Sequence, residues 1–132
     1  MYKIKRSRHI AESLQIEDGD KLLELTVDIV IDDIMKNYIE LGSRLAKLQE
    51  MVEAGEKTDD LYAEYGRTVV AYFELFFGTE QTAKIMELYS GRYSEMLVDI
   101  TPFLQDIVVP EIIKAQEETK NKYRALAKRR YR

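Results

Sequence analysis

The residues of this 132-residue chain whose types could do chemistry are one histidine and several close carboxylates. A Ser-His-Asp or Cys-His arrangement would have to use His9, and no serine lies in a nucleophile-elbow sequence such as GxSxG. The chain has no cysteine, so it has neither a thiol nucleophile nor a zinc–thiolate site. His9 also lies in a basic segment, and nucleophilic catalysis therefore has no support.

The carboxylates are densest at Asp32-Asp33, one turn after Asp28, and at Asp59-Asp60. Carboxylate-bridged metal sites in helical bundles use inward-facing glutamates with Glu-x-x-His motifs, which this sequence lacks. Carboxylates in the first turn of a helix are also stabilised by its dipole. We interpret both groups as such helix-terminal charges and predict no metal.

The glycines form no phosphate-binding motif. The sequence contains neither GxGxxG nor GxxxxGK[ST]. We therefore expect no nucleotide site, no cofactor and no enzymatic activity.

Charge is distributed unevenly along the chain. All 24 acidic residues lie between residues 9 and 119 with nine of the 20 basic residues, so this stretch carries a net charge of −15. The basic residues at the two ends are Lys3, Lys5, Arg6, Arg8, Lys120, Lys122, Arg124, Lys128, Arg129, Arg130 and Arg132. Two interpretations stay open: a solvated terminus, or a tail that binds an acidic partner or the acidic body of a neighbouring subunit.

The composition is that of one folded domain. Hydrophobic residues make up 45% of the chain, no apolar run reaches the roughly 18 residues of a membrane helix, and no apolar segment follows the basic start. We expect a soluble, intracellular protein without membrane contact.

The central prediction is an aromatic helix that ends at Gly78. Its apolar residues recur every three or four positions, and a shorter helix with Thr79 as N-cap follows and closes at Gly91. The members of the stripe are Leu61, Tyr62, Tyr65, Val69, Phe73, Phe76 and Phe77. Any core must be built on this pair of helices.

The N-terminal part, residues 1–27, predicts a β-hairpin that pairs 11–16 with 21–27 around the turn Glu17–Asp20. A short helix over 8–14 is the alternative. The hairpin must dock on helices or pair with another subunit, and its outer edge is a natural site for strand addition.

Two helical regions complete the prediction of a mainly α (α+β) domain with a helical core at 28–117. One amphipathic helix runs from an N-cap at Asp28 to about Glu53. A last region starts at Ser94 and either breaks near residue 100 or continues through Pro102 and Pro110. Residues 118–132 form a basic tail that projects or frays.

Residues 72–78 (YFELFFG), followed by Thr82–Ile85 (TAKI) and Gly91, resemble the small tail assembly chaperones of siphophages and prophages of Gram-positive bacteria. The resemblance covers about residues 45–132 and includes the basic end. Pro102 and Pro110 depart from the continuous last helix that the family implies.

The resemblance implies a non-catalytic assembly factor in the host cytoplasm. Such proteins coat the tape measure protein until tail tube subunits displace them, and often have a longer, frameshifted form. We expect a homo-oligomer. The candidate partner-binding residues are Tyr72, Phe76 and Phe77, which are alternatively core residues, and Lys128, Arg129 and Arg130.

Two other functions stay open. One is a helical adaptor or another phage structural or assembly component with a different client. The other is a nucleic-acid-associated protein that uses the basic tail with Tyr123 and Tyr131. The acidic body and the lack of a recognised motif make nucleic acid the weaker of the two.

Overall fold

The fold was analysed in a computed structural model that describes residues 1–4, 9–56 and 58–130, without the side chain of Arg130. The predicted basic residues Lys5, Arg6, Arg8 and Arg132 lie outside the described residues, as do Lys57 and Tyr131. In chain order, the elements are β1 (His9–Asp18), β2 (Lys21–Val30), α1 (Ile31–Glu53), α2 (Asp59–Leu88), α3 (Tyr93–Phe103), a π-helical turn (Leu104–Val108) and α4 (Val109–Arg130). The predicted mainly α fold with an N-terminal hairpin and a long C-terminal helical region is confirmed.

The hairpin is longer than the sequence pattern predicted. β1 and β2 pair antiparallel over their full lengths, from His9 opposite Val30 to Asp18 opposite Lys21. The alternative of a short helix over 8–14 is wrong for the described part of that range, because it is strand from residue 9. Even-numbered residues of β1 and odd-numbered residues of β2 face the helices, as expected for a sheet that is packed on one side.

Helix α1 begins two residues later than predicted. Asp28 is still part of β2, where its carboxylate contacts His9 across the sheet, and the residue before the helix is Val30, which makes no side-chain cap. The prediction of Asp28 as N-cap is therefore wrong. Asp32 and Asp33 do lie in the first turn of α1, where the dipole favours them.

Helix α2 carries the aromatic stripe and is kinked where the sequence predicted its end. Thr58 caps its start by accepting a hydrogen bond from the Leu61 N–H. Gly78 has φ 79° and ψ 169°, a conformation that is essentially restricted to glycine, and the helix resumes beyond it. The chain then turns at Gly91, whose N–H donates to the Met86 carbonyl.

The last helical region runs through both prolines. Ser94 lies inside α3 rather than at its N-cap, which is Arg92, so that prediction is wrong. Pro102 is tolerated in α3, and the irregularity falls in the π-helical turn, where the Val109 N–H bonds to the Leu104 carbonyl five residues earlier. Pro110 follows directly after the π-helical turn, as the second residue of α4.

One core joins the hairpin to the helices. The inner residues of β2 pack on α2 and α1, while β1 lies against the π-helical turn and α3 packs on α2. The large, fully buried side chains include Leu25, Phe73, Phe76, Ile85, Met96, Ile100, Leu104 and Ile112. Among the described residues, no helix is long and apolar enough to cross a membrane.

Candidate partner-binding site

The three aromatic candidates lie in the core. Tyr72, Phe76 and Phe77 are only 4%, 2% and 5% exposed. The Tyr72 and Phe76 rings are 5.3 Å apart and nearly perpendicular, and Tyr38 of α1 lies 5.9 Å from the Phe76 ring. Tyr72 and Phe76 therefore pack α2 against Tyr38 of α1, Phe77 packs against Phe73, and all three candidates are buried in this fold.

The hydroxyl of Tyr72 is part of the same packed environment. Burial, with a smaller contribution from Tyr38, raises the pKa of Tyr72 to about 12, against the opposite effect of a hydrogen bond with Gln105. The phenol is therefore neutral at physiological pH and serves packing.

The basic candidates lie on the distal half of α4, which we define as Lys120–Arg130. Every residue from Lys120 to Arg129 is exposed, and no acidic residue interrupts this half. Within the described part of the chain, none of its basic side chains is paired with a carboxylate. Lys128 and Arg129 are thus free for a partner, and Arg130 continues the helix beside them.

Apolar residues accompany these charges. Tyr123 is 68% exposed and Leu126 is 46% exposed. They are three positions apart, so they lie on one face of the helix. The sequence analysis noted Tyr123 only as a stacking residue for nucleic acid and did not single out Leu126, because an isolated leucine among charges has no distinctive pattern.

A shallow groove lies where the distal half of α4 leaves the body. It has a volume of about 390 Å³ and lies between the first turns of α1 and the middle of α4, with Met35, Ala115 and Tyr123 among its walls. The Gln116 amide lies 3.8 Å from the Met35 sulfur. Because Lys120 also lines the groove, an apolar surface meets the start of the basic surface here.

A second polar cluster lies at the turn of the hairpin. The Tyr89 hydroxyl donates to the Asp99 carboxylate at 2.9 Å, and burial followed by this bond raises the pKa of Tyr89. Arg92 is 3.8 Å from Glu95 nearby. In the described residues no group of three or more acidic or histidine side chains is arranged to hold a metal ion.

Gln81 is a structural residue that the sequence analysis missed. Its side-chain amide accepts from the Thr26 N–H at 2.8 Å and donates to the Thr26 carbonyl at 2.7 Å. It also donates to the Phe77 carbonyl at 2.8 Å, which the kink at Gly78 leaves available. A glutamine inside a helix gives no sequence signal for such a contact.

Comparisons with known proteins add little. No family model matches the chain, and no solved structure matches it. Over 101 residues, which are 76% of this chain, the sequence is 29% identical to a galactokinase of Lactococcus lactis subsp. cremoris (strain MG1363), and that stretch is 23% of the galactokinase. The chain spans less than a quarter of that relative, and the similarity establishes neither a family nor an activity.

Proposed function

We propose that this protein is a non-catalytic tail assembly chaperone of a siphophage or prophage, which binds the tape measure protein and keeps it soluble until the tail tube polymerises. The observation that carries the proposal is the distal half of α4. Every residue from Lys120 to Arg129 is exposed, and among the described residues its basic side chains form no ion pair with a carboxylate, while Tyr123 and Leu126 lie among them. Exposed apolar residues grouped on a surface with one sign of charge are typical of a binding site.

The groove between the first turns of α1 and the middle of α4 favours a helical client. An amphipathic helix can place its apolar side chains against Met35 and Tyr123 while acidic residues on its flank meet the basic side chains of α4. The family resemblance implies a long, aggregation-prone tape measure protein as the client, and we propose that it binds as such a helix.

The acidic body supports the solubilising role. The net charge of −15 over residues 9–119 repels other complexes in the cytoplasm, the compartment we propose. Self-association and contact with the tail tube protein belong to the same proposal.

The test is co-expression with the tape measure protein of the same phage or prophage, followed by gel filtration with light scattering. We expect soluble tape measure protein that co-elutes with many copies of this chain. If the tape measure protein aggregates as it does alone, the chaperone function is rejected, and a helical adaptor with another client becomes the leading function.

A charge-reversed variant tests whether the client binds to α4. Lys128→Glu/Arg129→Glu/Arg130→Glu should abolish co-elution, because it reverses the charge of the basic end of α4. The matched control is Lys36→Glu/Lys47→Glu/Lys84→Glu, which makes the same change in net charge at exposed positions of α1 and α2. Equal loss of co-elution in both variants would show that net charge, and not α4, holds the client.

A further inference from the structure

The two edges of the hairpin differ in whether the rest of the fold bonds to their backbone groups. The edge formed by β2 is covered at Thr26, whose N–H and carbonyl both bond to the Gln81 side chain. Among the described residues, no hydrogen bond from the rest of the chain reaches the backbone of β1 on its outer edge. The β1 edge is ten residues long, and it is open.

Strand geometry identifies which groups are open. In an antiparallel pair, the N–H and carbonyl of one residue point to the same side, and the side alternates along the strand. The N–H and carbonyl of Thr26 bond to Gln81 and so point away from β1. Ser13 lies opposite Thr26, so the N–H and carbonyl of Ser13 point away from β2. By the same alternation, the backbone groups of Ala11 and Gln15 also point outward, with those of His9 and Glu17 beyond them.

The inner face of the sheet is also incomplete on this side. Leu25 and Val27 of β2 are each 1% exposed, whereas Leu14 and Ile16 of β1 are only partly buried. Burial declines towards the open edge at the pair Leu25–Leu14, whereas Ile10 of β1 is 3% exposed and Leu23, opposite Ile16, is also only partly buried. A further strand beside β1 would cover Leu14 and Ile16 and extend the sheet over the helical body.

We propose that the β1 edge binds the β1 edge of a second copy of this chain, forming a continuous four-stranded antiparallel sheet across a twofold axis. This interface is the surface through which the proposed self-association would occur. It does not depend on the identity of the client.

The sequence of β1 is self-complementary in one register. With the axis at Ser13, Ala11 of one copy faces Gln15 of the other, and each facing pair of outward residues can exchange two backbone hydrogen bonds. In this register Ile10 lies opposite Ile16 and His9 lies opposite Glu17, which are complementary pairs, while Glu12 lies opposite Leu14. Centring the axis on Glu12 instead would place two carboxylates opposite each other.

Engineered cysteines test this register, because the natural chain contains none. Residues that face each other as a hydrogen-bonded pair have Cα atoms about 5.5 Å apart, within the range of a disulfide. Ser13→Cys should therefore form a covalent dimer on mild oxidation. Thr26→Cys is the control, since Thr26 is exposed on the same face, but two copies of it would lie about 14 Å apart across three strand spacings.

A proline variant tests the association itself. Ser13→Pro removes an N–H that points away from β2, so the hairpin keeps its own ladder while the added strand is blocked. Light scattering should show that its mass is half that of the unaltered protein, with an unchanged circular dichroism spectrum. Ser13→Thr keeps the N–H and should keep the larger mass.

Hydrogen exchange of the unaltered protein gives an independent measurement if the proline variant does not fold. The amides of Ala11, Ser13 and Gln15 should be protected at high protein concentration and exchange faster on dilution. Those of Glu12 and Leu14, which belong to the hairpin ladder, should be protected at both concentrations.

Three outcomes would overturn the proposal. They are a 15.5 kDa species at all concentrations, a cross-link at Thr26→Cys in place of Ser13→Cys, and protection of the outward amides only after a client peptide is added. The last outcome would assign the edge to a client strand. Because these measurements use the purified chain alone, their failure leaves the chaperone test unaffected.

Discussion

The aromatic part of α2 and the distal half of α4 are both helices with regularly spaced large apolar residues, but they end in opposite environments. Phe73 is completely buried, and Phe76 is 2% exposed, whereas Tyr123 is 68% exposed. The first set meets α1, α3 and the hairpin, while the second touches the described body only at the groove beside α1 and is otherwise exposed. Spacing alone does not separate a core helix from a binding helix; the difference lies in how many neighbours the topology supplies.

The largest expected effect comes from removing a buried aromatic ring of α2. Phe73→Ala removes a completely buried ring and should lower the free energy of unfolding by about 3–5 kcal/mol, because a cavity remains in the close-packed core. Tyr123→Ala, the control, should change it by less than about 0.5 kcal/mol. Urea unfolding followed by circular dichroism measures both, and similar losses would mean that the distal half of α4 is packed in solution.

The kink of α2 provides the next test. Gly78→Ala should destabilise the protein by about 1–3 kcal/mol, because a Cβ is strained at this positive φ even though space is open around it. Gly42 lies in regular helix with nothing near its missing Cβ, so Gly42→Ala should stabilise by about 0.5–1 kcal/mol. Thermal unfolding of the two variants should therefore shift in opposite directions. A shift of both in the same direction would remove the special role of Gly78.

The covered hairpin edge gives a smaller effect. Gln81→Ala removes both bonds to Thr26 and should cost about 0.5–1.5 kcal/mol, since the amides can bond to water instead. Hydrogen exchange at the Thr26 amide should accelerate in this variant, while the neighbouring exposed substitution Glu80→Ala leaves it unchanged. Unaltered exchange in Gln81→Ala would show that the β2 edge is protected by something else.

The smallest effect concerns Glu111 in the first turn of α4, which interacts with Glu12 of β1. Partial burial, then a hydrogen bond with and repulsion from Glu12, raise the pKa of Glu111, and Lys114 opposes them. A carboxyl whose pKa is raised by folding binds more protons in the folded state, so its penalty is absent below the unfolded pKa, grows between the two pKa values and is complete above the folded pKa.

Glu111→Gln should therefore raise the melting temperature more at pH 7 than at pH 4. The control is Glu117→Gln, an exposed glutamate of the same helix, which should show no such pH dependence. An equal rise of the melting temperature at both pH values would mean that the carboxylates of Glu111 and Glu12 do not interact.

Much of the fold followed from local pattern. The alternation of Leu23, Leu25 and Val27 predicted a strand, and the glycine at 78 predicted an interruption, which the structure shows as a kink at that residue. Boundaries were less accurate: Asp28 has the chemistry of an N-cap, but strand pairing with Ala11 keeps it extended. Cross-strand partners outweighed the local capping preference.

The candidate site was only partly predictable. The basic end was evident from charge, and its exposure is as expected for an uninterrupted basic run. Tyr72, Phe76 and Phe77 had the same pattern whether they packed inside or faced a partner, so only the position of α1 beside them could decide.

The sequence by itself determined the hairpin, the helical content, the polarity of charge and the kink at Gly78, because each depends on residues within a turn or two of one another. Tertiary structure decided which aromatic residues are buried, that Gln81 covers one edge of the hairpin, and that the other edge and the distal half of α4 stay open. These features depend on contacts between residues far apart in the chain. A local pattern carries no information about which surfaces the rest of the fold will reach.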